Sequence, residues 1–193
     1  MATELQPTVW RTARALANRD RLNLMRLVAS AKGEKCVIEL AAEAGLPAPT
    51  ASLYLRALNA RGLISVVRAG PYVYYGTKSD RSLPTAMQMQ KAFANLFGLA
   101  RLPKNWTERL LPLLRAYSSP RREALVRVLG LVQPIGYSGL HQASGLCETS
   151  FLRHLRILVS VGIVVRGDDG SYRLARPENS LAAAFLAACR PSP

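Results

Sequence analysis

The feature of this sequence that most constrains its fold is an internal repeat at an offset of 100 residues. Between Leu40 and Val164, many positions 100 residues apart hold the same or a similar residue, and both small and apolar residues are among them. The paired positions are Leu40 with Leu140, Gly45-Leu46 with Gly145-Leu146, Thr50 with Ser150, Leu55-Arg56 with Leu155-Arg156, Leu58 with Leu158, and Gly62 with Gly162. A repeat of this kind predicts two units of similar architecture, which we place at residues 1–100 and 101–193.

The stretch from Leu46 to Leu63 is the centre of the first unit and reads as one long helix. Its apolar residues recur at spacings of three and four, so they share one face that we expect to be buried: Ala51, Tyr54, Leu55 and Leu58. Gly62 and Gly162 follow the two long helices. A left-handed residue after a helix is usually glycine, because glycine lacks Cβ. The long helix is therefore predicted in both units.

The order of the predicted elements indicates the fold class. In the first unit we predict helices at 7–17, Arg19–Ala31, Cys36–Ala44, Leu46–Arg61 and Ser82–Phe97, with a β-ribbon at Ile64–Lys78. In the second unit we predict helices at Trp106–Tyr117, from Ser119-Pro120 onward, at Ser138–Ser144, Glu148–Val161 and Pro177–Ala188, with a ribbon at Ile163–Ala175. Asn18 is expected to cap the second helix, and Asn105 with Glu108 to form a capping box before Trp106.

Helix, tight turn, helix and two-stranded ribbon is the order of a winged helix-turn-helix. We therefore predict a mainly α protein with small β-ribbons (α+β), a tandem duplicated winged helix-turn-helix. The segment between the units is short and is not rich in Ser or Gly, so the outer helices should pack the units together as a pseudo-dimer.

Composition narrows the possible partners. Apolar residues make up 49% of the 193 residues, which excludes a disordered chain, and the net charge is +14, with +7 in each unit. Such an excess favours a polyanion, either nucleic acid or an anionic membrane surface, although a solvated basic surface is the alternative. No apolar stretch reaches 18 residues and the start of the chain lacks a hydrophobic signal region. We expect a cytoplasmic, nucleoid-associated protein that does not bind membranes and keeps its three cysteines reduced.

The sequence resembles the ArsR family of bacterial winged-helix regulators over about residues 10–95, and the second unit resembles it in outline. The residues that carry the resemblance are Arg21-Leu22, Cys36-Val37, Glu39-Leu40, Gly45-Leu46, Thr50, Ser52, Leu55, Leu58, Gly62-Leu63, Gly70 and Val73-Tyr74-Tyr75. The family implies a homodimeric repressor that binds DNA and is released by a metal or another signal.

The chain departs from this family pattern in two ways. Many members hold a metal with two thiolates one residue apart in the third helix; Cys36 matches the first, but Ile38 occupies the second position. A soft metal needs several thiolates or imidazoles, so we expect no metal and no cofactor. The family also builds its dimer from two chains, whereas this chain contains two predicted winged helices. It would then cover two half-sites as a pseudo-dimeric monomer, or pair again as a homodimer.

The residues expected to contact double-stranded DNA lie on the second helix of each helix-turn-helix, at 48–61 and 148–161, because that helix enters the major groove. In the first unit they are Thr50, Ser52, Leu53, Arg56 and, in the wing, Arg68. In the second unit they are Thr149, Ser150, Arg153 and Arg156. Glu148 and Asp168-Asp169 would repel phosphates, so two possibilities stay open: the second unit contacts DNA, or it serves as a built-in dimerisation partner.

We therefore expect a sequence-specific, DNA-binding transcriptional regulator that acts as a repressor. The alternative is a winged-helix module for protein–protein interaction with nonspecific DNA affinity, in which basic residues would be scattered. The sequence shows no phosphate-binding glycine loop and no paired catalytic carboxylates, and Gly136-Tyr137-Ser138-Gly139-Leu140 departs from the G-x-S-x-G motif at its last residue. On these grounds we expect that the chain is not an enzyme.

Overall fold

The structure is a computed structural model that describes residues 8–77, 84–98 and 102–189. The first half contains α1 Val9–Leu16, α2 Arg19–Ala29, β1 Lys35–Cys36, α3 Val37–Ala44, α4 Ala48–Asn59, β2 Ser65–Ala69, β3 Tyr72–Gly76 and α5 Pro84–Phe97. The second half contains α6 Trp106–Tyr117, α7 Pro120–Leu131, α8 Tyr137–Ser144, α9 Glu148–Ser160, β4 Val164–Arg166, β5 Tyr172–Leu174 and α10 Ser180–Cys189. This mostly helical α+β architecture fits a winged helix-turn-helix.

Local sequence signals account for several of the helix ends. The Asn18 side chain accepts a hydrogen bond from the Arg21 backbone N–H at 3.0 Å, so the predicted cap of α2 is confirmed. Gly62 and Gly162, which follow α4 and α9, have φ angles of +67° and +75°. These left-handed conformations confirm the reason given for the two glycines.

The capping box predicted before α6 is wrong. The Asn105 side chain makes no cap hydrogen bond, because its backbone (φ −97°, ψ 25°) is not in the extended conformation that this cap requires. The Glu108 carboxylate instead pairs with the Arg19 guanidinium at the start of α2.

Other predicted boundaries shift by a few residues. Helix α2 ends at Ala29 instead of Ala31, and α10 begins at Ser180 instead of Pro177. The later start of α10 follows from Asn179, whose side-chain oxygen accepts a hydrogen bond from the Ala182 N–H at 2.8 Å. The predicted boundaries at Pro7, Lys78 and Ser82 lie outside the described residues.

Each half carries a small antiparallel sheet beside its long helix. In the first half, β3 lies between β1 and β2, and Arg68 of β2 is opposite Val73 of β3. In the second half, β4 pairs with β5, and Ile135 forms an isolated bridge with Tyr172 where the first half has β1.

The two halves share one buried apolar cluster. Helix α1 packs against α6, and α5 packs against α10. Between α5 and α10, the Ser180 hydroxyl donates to the Ala92 carbonyl at 3.0 Å. Between α5 and α6, the Phe97 ring meets the Trp106 ring edge-on at 5.4 Å between centroids. Across the described residues, no helix has the length and apolar character needed to cross a bilayer.

A buried carboxylate adds a polar link between the halves. Glu123 of α7 is 6% exposed and accepts a hydrogen bond from the Trp10 backbone N–H in the first turn of α1 at 3.1 Å. It also accepts one from Arg127 at 2.8 Å. A carboxylate at the first turn of a helix satisfies a free N–H and interacts favourably with the helix dipole.

Candidate nucleic-acid interface

The exposed side of α4 combines one arginine with an apolar side chain. Arg56 and Leu53 are exposed, and Leu53 retains 58% of its accessible surface. Thr50 and Ser52 are half-buried, and the Ser52 carbonyl accepts a hydrogen bond from Arg56 Nε at 3.4 Å. The opposite side of the helix is fully buried, so only this side is open to a partner.

The wing of the first half extends the α4 surface. Arg68 lies exposed on β2. Burial raises the pKa of Tyr75, and the positive charges of Arg56 and Arg68 oppose that rise, so both guanidinium groups lie within electrostatic reach of the Tyr75 hydroxyl. Arg56 on α4 and Arg68 on β2 therefore both act electrostatically on Tyr75.

The exposed side of α9 is more basic. Thr149, Arg153 and Arg156 are exposed and line one shallow groove, which Glu148 also borders. The Ser150 hydroxyl is half-buried and accepts a hydrogen bond from Arg121 at 3.4 Å. Thus the structure brings together the four residues that the sequence indicated on this helix.

Sequence reasoning missed Arg121, which lies exposed near the start of α7. Aligned at the offset of 101 that pairs Arg21 with Arg122, Arg121 pairs with Asp20. Because that counterpart is acidic and Arg121 lies outside the predicted reading helix, the sequence carried no signal that pointed to Arg121. We call Arg121, Arg153 and Arg156 the α9 basic face. Their counterparts by sequence offset are Asp20, Leu53 and Arg56, and we call these three residues the α4 face.

Beside each face, an arginine holds the preceding helix in place. Arg122 donates to the carbonyls of Ala116 at 2.5 Å and Arg115 at 2.7 Å. Arg21 makes the equivalent bonds to the carbonyls of Ala15 and Arg14. These bonds reach carbonyl groups in the last turns of α1 and α6, and the Arg115 carbonyl also accepts hydrogen bonds from Ser118.

The residue next to this arginine differs between the halves. The Arg21 guanidinium lies 5.5 Å from the centre of the Tyr54 ring, a cation–π contact, whereas an Arg122 nitrogen lies 3.4 Å from Nδ1 of His154. His154 is 6% exposed, and its Nε2 atom has no hydrogen-bond partner among the described residues. Burial lowers the pKa of His154, and the positive charges of Arg122, Arg153 and Arg121 lower it further. The imidazole is therefore held neutral beside the α9 basic face.

Two acidic residues of the second half, Asp169 and Glu148, accept hydrogen bonds from other residues of that half. Asp169 accepts hydrogen bonds from the Ser171 N–H at 3.0 Å and the Ser171 hydroxyl at 2.7 Å, and these bonds lower its pKa. Glu148 accepts one from the Tyr137 hydroxyl at 3.3 Å. Asp169 therefore stabilises the turn of the wing, as acidic residues in turns commonly do.

The region where a metal would be expected from the family resemblance has one thiol. Cys36 is half-buried at the start of α3, and Ile38 is 62% exposed. The Cys36 N–H donates to the Glu39 carboxylate at 2.8 Å. Within the described ranges, no three His, Cys, Asp or Glu residues are grouped so that they would hold a metal ion.

Comparison with known families gives a match in the first half. Residues 18–66 match the family described as "Bacterial regulatory protein, arsR family". The matched range runs from the cap of α2 into β2 and includes the whole helix-turn-helix. This match supports a winged helix-turn-helix of the ArsR type and a role in DNA binding and transcription regulation. No curated protein is significantly similar to the chain.

Comparison with solved structures returns human N-acetylserotonin methyltransferase in complex with SAM, at 17% identity and a TM-score of 0.32. The match covers 70% of this chain and 52% of the methyltransferase chain, so this chain spans about half the length of that protein. This match contradicts the sequence-based expectation that the chain is not an enzyme, and we withdraw that expectation. A likeness of this size assigns no activity to the chain.

Proposed function

We propose that this chain is a sequence-specific regulator of transcription that binds double-stranded DNA through α4 and α9 and represses the genes it binds. The observation that carries the proposal is the α9 basic face. Three guanidinium groups, from Arg121, Arg153 and Arg156, lie on and beside the exposed side of a helix that occupies the reading position of a helix-turn-helix. Arginines there neutralise phosphates and bond guanine through two donors.

Within this proposal, Arg56 and Arg156 occupy matching positions on the two reading helices. Arg68 in the wing reaches the flanking backbone, Thr50 and Ser52 supply hydroxyl contacts near the start of α4, and Leu53 makes an apolar contact. Thr149, Ser150 and Arg153 contact the duplex from α9. Arg121 is added to this set because its bond to Ser150 places it beside α9.

The contacts between the halves support the proposal that residues 1–100 and 101–193 are tandem winged-helix domains packed as a pseudo-dimer. Helix α1 and its counterpart α6 contact each other, as do α5 and its counterpart α10. Contacts between counterpart elements are the pattern of an interface with two-fold symmetry. In this arrangement one chain covers two half-sites as a pseudo-dimeric monomer, or two chains pair as a homodimer, in the cytoplasm on the nucleoid.

A second candidate function is protein–protein interaction, and the first half favours it. Four apolar side chains on α4 and the wing are exposed: Leu53 at 58%, Tyr72 at 52%, Val66 at 41% and Val67 at 38%. Exposed apolar side chains of this size are typical of a surface that binds a partner. In this alternative, the α9 basic face supplies only nonspecific affinity for DNA.

Selection of binding sites from a random duplex pool, at about 0.15 M salt, tests the proposal. We expect enrichment of a site with two half-sites about one helical turn apart, and loss of that site with Arg56→Glu or Arg156→Glu. Lys91→Glu, at an exposed position of α5, makes the same charge change outside both helix-turn-helix motifs and should retain the site. If no site is enriched, and all four proteins lose binding equally as salt rises, the interaction module replaces the regulator.

A further inference from the structure

Helices α5 and α10 bury four matching positions at an offset of 92 residues, and the second of these positions holds Gln90 in α5 but Ala182 in α10. The buried positions are Met89, Gln90, Ala92 and Phe93 in α5, and Leu181, Ala182, Ala184 and Phe185 in α10. In the first half, the Gln90 side chain donates to the carbonyls of Gly62 at 3.0 Å and Leu63 at 3.1 Å. A glutamine thus fills the space beside the turn that follows α4.

In the second half, Ala182 replaces that glutamine and the space is open. A cavity of about 80 Å³ lies beside Gly162 and Ile163, the counterparts of Gly62 and Leu63. Its other apolar walls are Leu113, Tyr117 and Leu186. Its volume is about half of the ~150 Å³ of an apolar cavity that admits benzene, so it suits a branched group of about three carbons.

The mouth of the cavity is charged. Arg109, Arg176 and Glu178 border it and are exposed. Within the part of the chain that the structure describes, none of these three side chains takes part in an ion pair or hydrogen bond. Two guanidinium groups suit a carboxylate, and the Glu178 carboxylate suits an ammonium group. An apolar pocket with two cations and one anion at its mouth matches a small α-amino acid.

We propose that this cavity binds a small aliphatic α-amino acid. Its carboxylate lies at Arg109 and Arg176, its ammonium group lies at Glu178, and its side chain enters the space that Gln90 fills in the other half. The inference goes beyond the proposed function, because it concerns binding to the chain without DNA. Val161 borders the cavity directly after α9, so the ligand would contact the segment that joins the second reading helix to its wing.

Isothermal titration of the full chain without DNA tests the proposal, with valine as the probe. Isovalerate lacks only the ammonium group of valine, and isobutylamine lacks only its carboxylate. We expect valine to bind at least about tenfold more tightly than either, because each lost group removes a charged hydrogen bond. No binding of valine, or equal binding of isovalerate, would overturn the proposal.

Two variants locate the site. Ala182→Gln gives the second half the side chain that fills this space in the first half, and it should abolish valine binding. Ala183→Gln adds the same side chain at the next, exposed position of α10 and should retain it. Retained binding in Ala182→Gln would place the ligand elsewhere and overturn the assignment.

The exposed Glu178 provides a test that does not depend on filling the core. Glu178→Gln should remove the preference for valine over isovalerate while leaving the thermal unfolding midpoint unchanged. A preference that persists in this variant contradicts the role given to Glu178. Because these titrations contain no DNA, their outcome is independent of whether the chain regulates transcription.

Discussion

The exposed surfaces of α4 and α9 occupy the same position in the two halves and differ in chemistry. Where α9 and the start of α7 present Arg121 and Arg153, the first half has Asp20 and Leu53, while Arg56 and Arg156 match. Beneath them, leucines are buried at 55 and 155 and at 58 and 158, although Phe151 replaces Ala51 and His154 replaces Tyr54. The core thus keeps one architecture while the surfaces above it diverge, so the two reading helices are not expected to contribute equally.

The largest expected effect comes from reversing charge on α9. The double variant Arg153→Glu with Arg156→Glu should lower the affinity for a duplex by about 100-fold or more, because it removes two phosphate contacts. Each lost contact should also reduce the log–log slope of affinity against salt concentration by about 0.9. Arg56→Glu alone should cost about tenfold. Fluorescence anisotropy over a range of salt concentrations measures both. A greater loss from Arg56→Glu would reverse the ranking of the two helices.

The next largest effect concerns Glu123, a buried carboxylate at the position that Leu22 occupies in the first half. Glu123→Ala removes the bonds to Trp10 and Arg127 and should lower the free energy of unfolding by about 2–3 kcal/mol, as measured by urea denaturation. Glu123→Leu, which copies the first half, should recover part of that loss by packing. The exposed Glu148→Ala is the control, and an unfolding midpoint for Glu123→Ala equal to that of the control would contradict the link.

A smaller effect follows from copying the α9 basic face onto α4. Leu53→Arg introduces the residue found at position 153 and should raise duplex affinity about three- to tenfold, by adding one phosphate contact. Leu131→Arg makes the same exchange at a site that is 67% exposed at the end of α7 and should have little effect. If Leu53→Arg weakens specific binding, the apolar contact proposed for Leu53 contributes more than the added phosphate contact.

The smallest effect is a dependence of stability on pH that comes from His154 in the second half. Burial lowers the pKa of His154, so the unfolded chain binds a proton more readily, near pH 6.5, than the folded one. Stability is complete above that pH and falls as the pH drops toward the pKa of the folded state. His154→Tyr, which copies Tyr54, should reduce the difference between the thermal unfolding midpoints at pH 7.5 and pH 5.5, and His154→Phe should do the same. An unchanged difference in both variants would contradict the neutral, buried imidazole.

Much of the fold could be predicted because its signals are local. The spacing of Leu55 and Leu58, the cap at Asn18 and the glycines at 62 and 162 each act within a few residues of the chain, and each reappears in the structure. The ends of helices were less predictable. The Asn105 capping motif failed because the backbone there is not extended and Glu108 pairs with Arg19, which is 89 residues away.

The candidate site could be predicted only in part. Periodicity showed which side of α9 is exposed, but the place of Arg121 depends on a bond to Ser150, 29 residues along the chain. The cavity beside Ala182 arises from the loss of one side chain relative to Gln90, which no pattern within α10 reveals. The contacts of the named residues with DNA stay a prediction.

The packing of α1 on α6 and of α5 on α10 has a consequence for how the protein responds to its own abundance. A regulator assembled from two separate chains falls apart on dilution, so its active fraction drops when few copies are present. Here the two halves are tethered in one polypeptide and remain together at any dilution. If α4 and α9 read DNA as proposed and one chain acts as a pseudo-dimeric monomer, the number of assembled pairs of reading helices rises in direct proportion to the number of chains made, even at a few copies per cell.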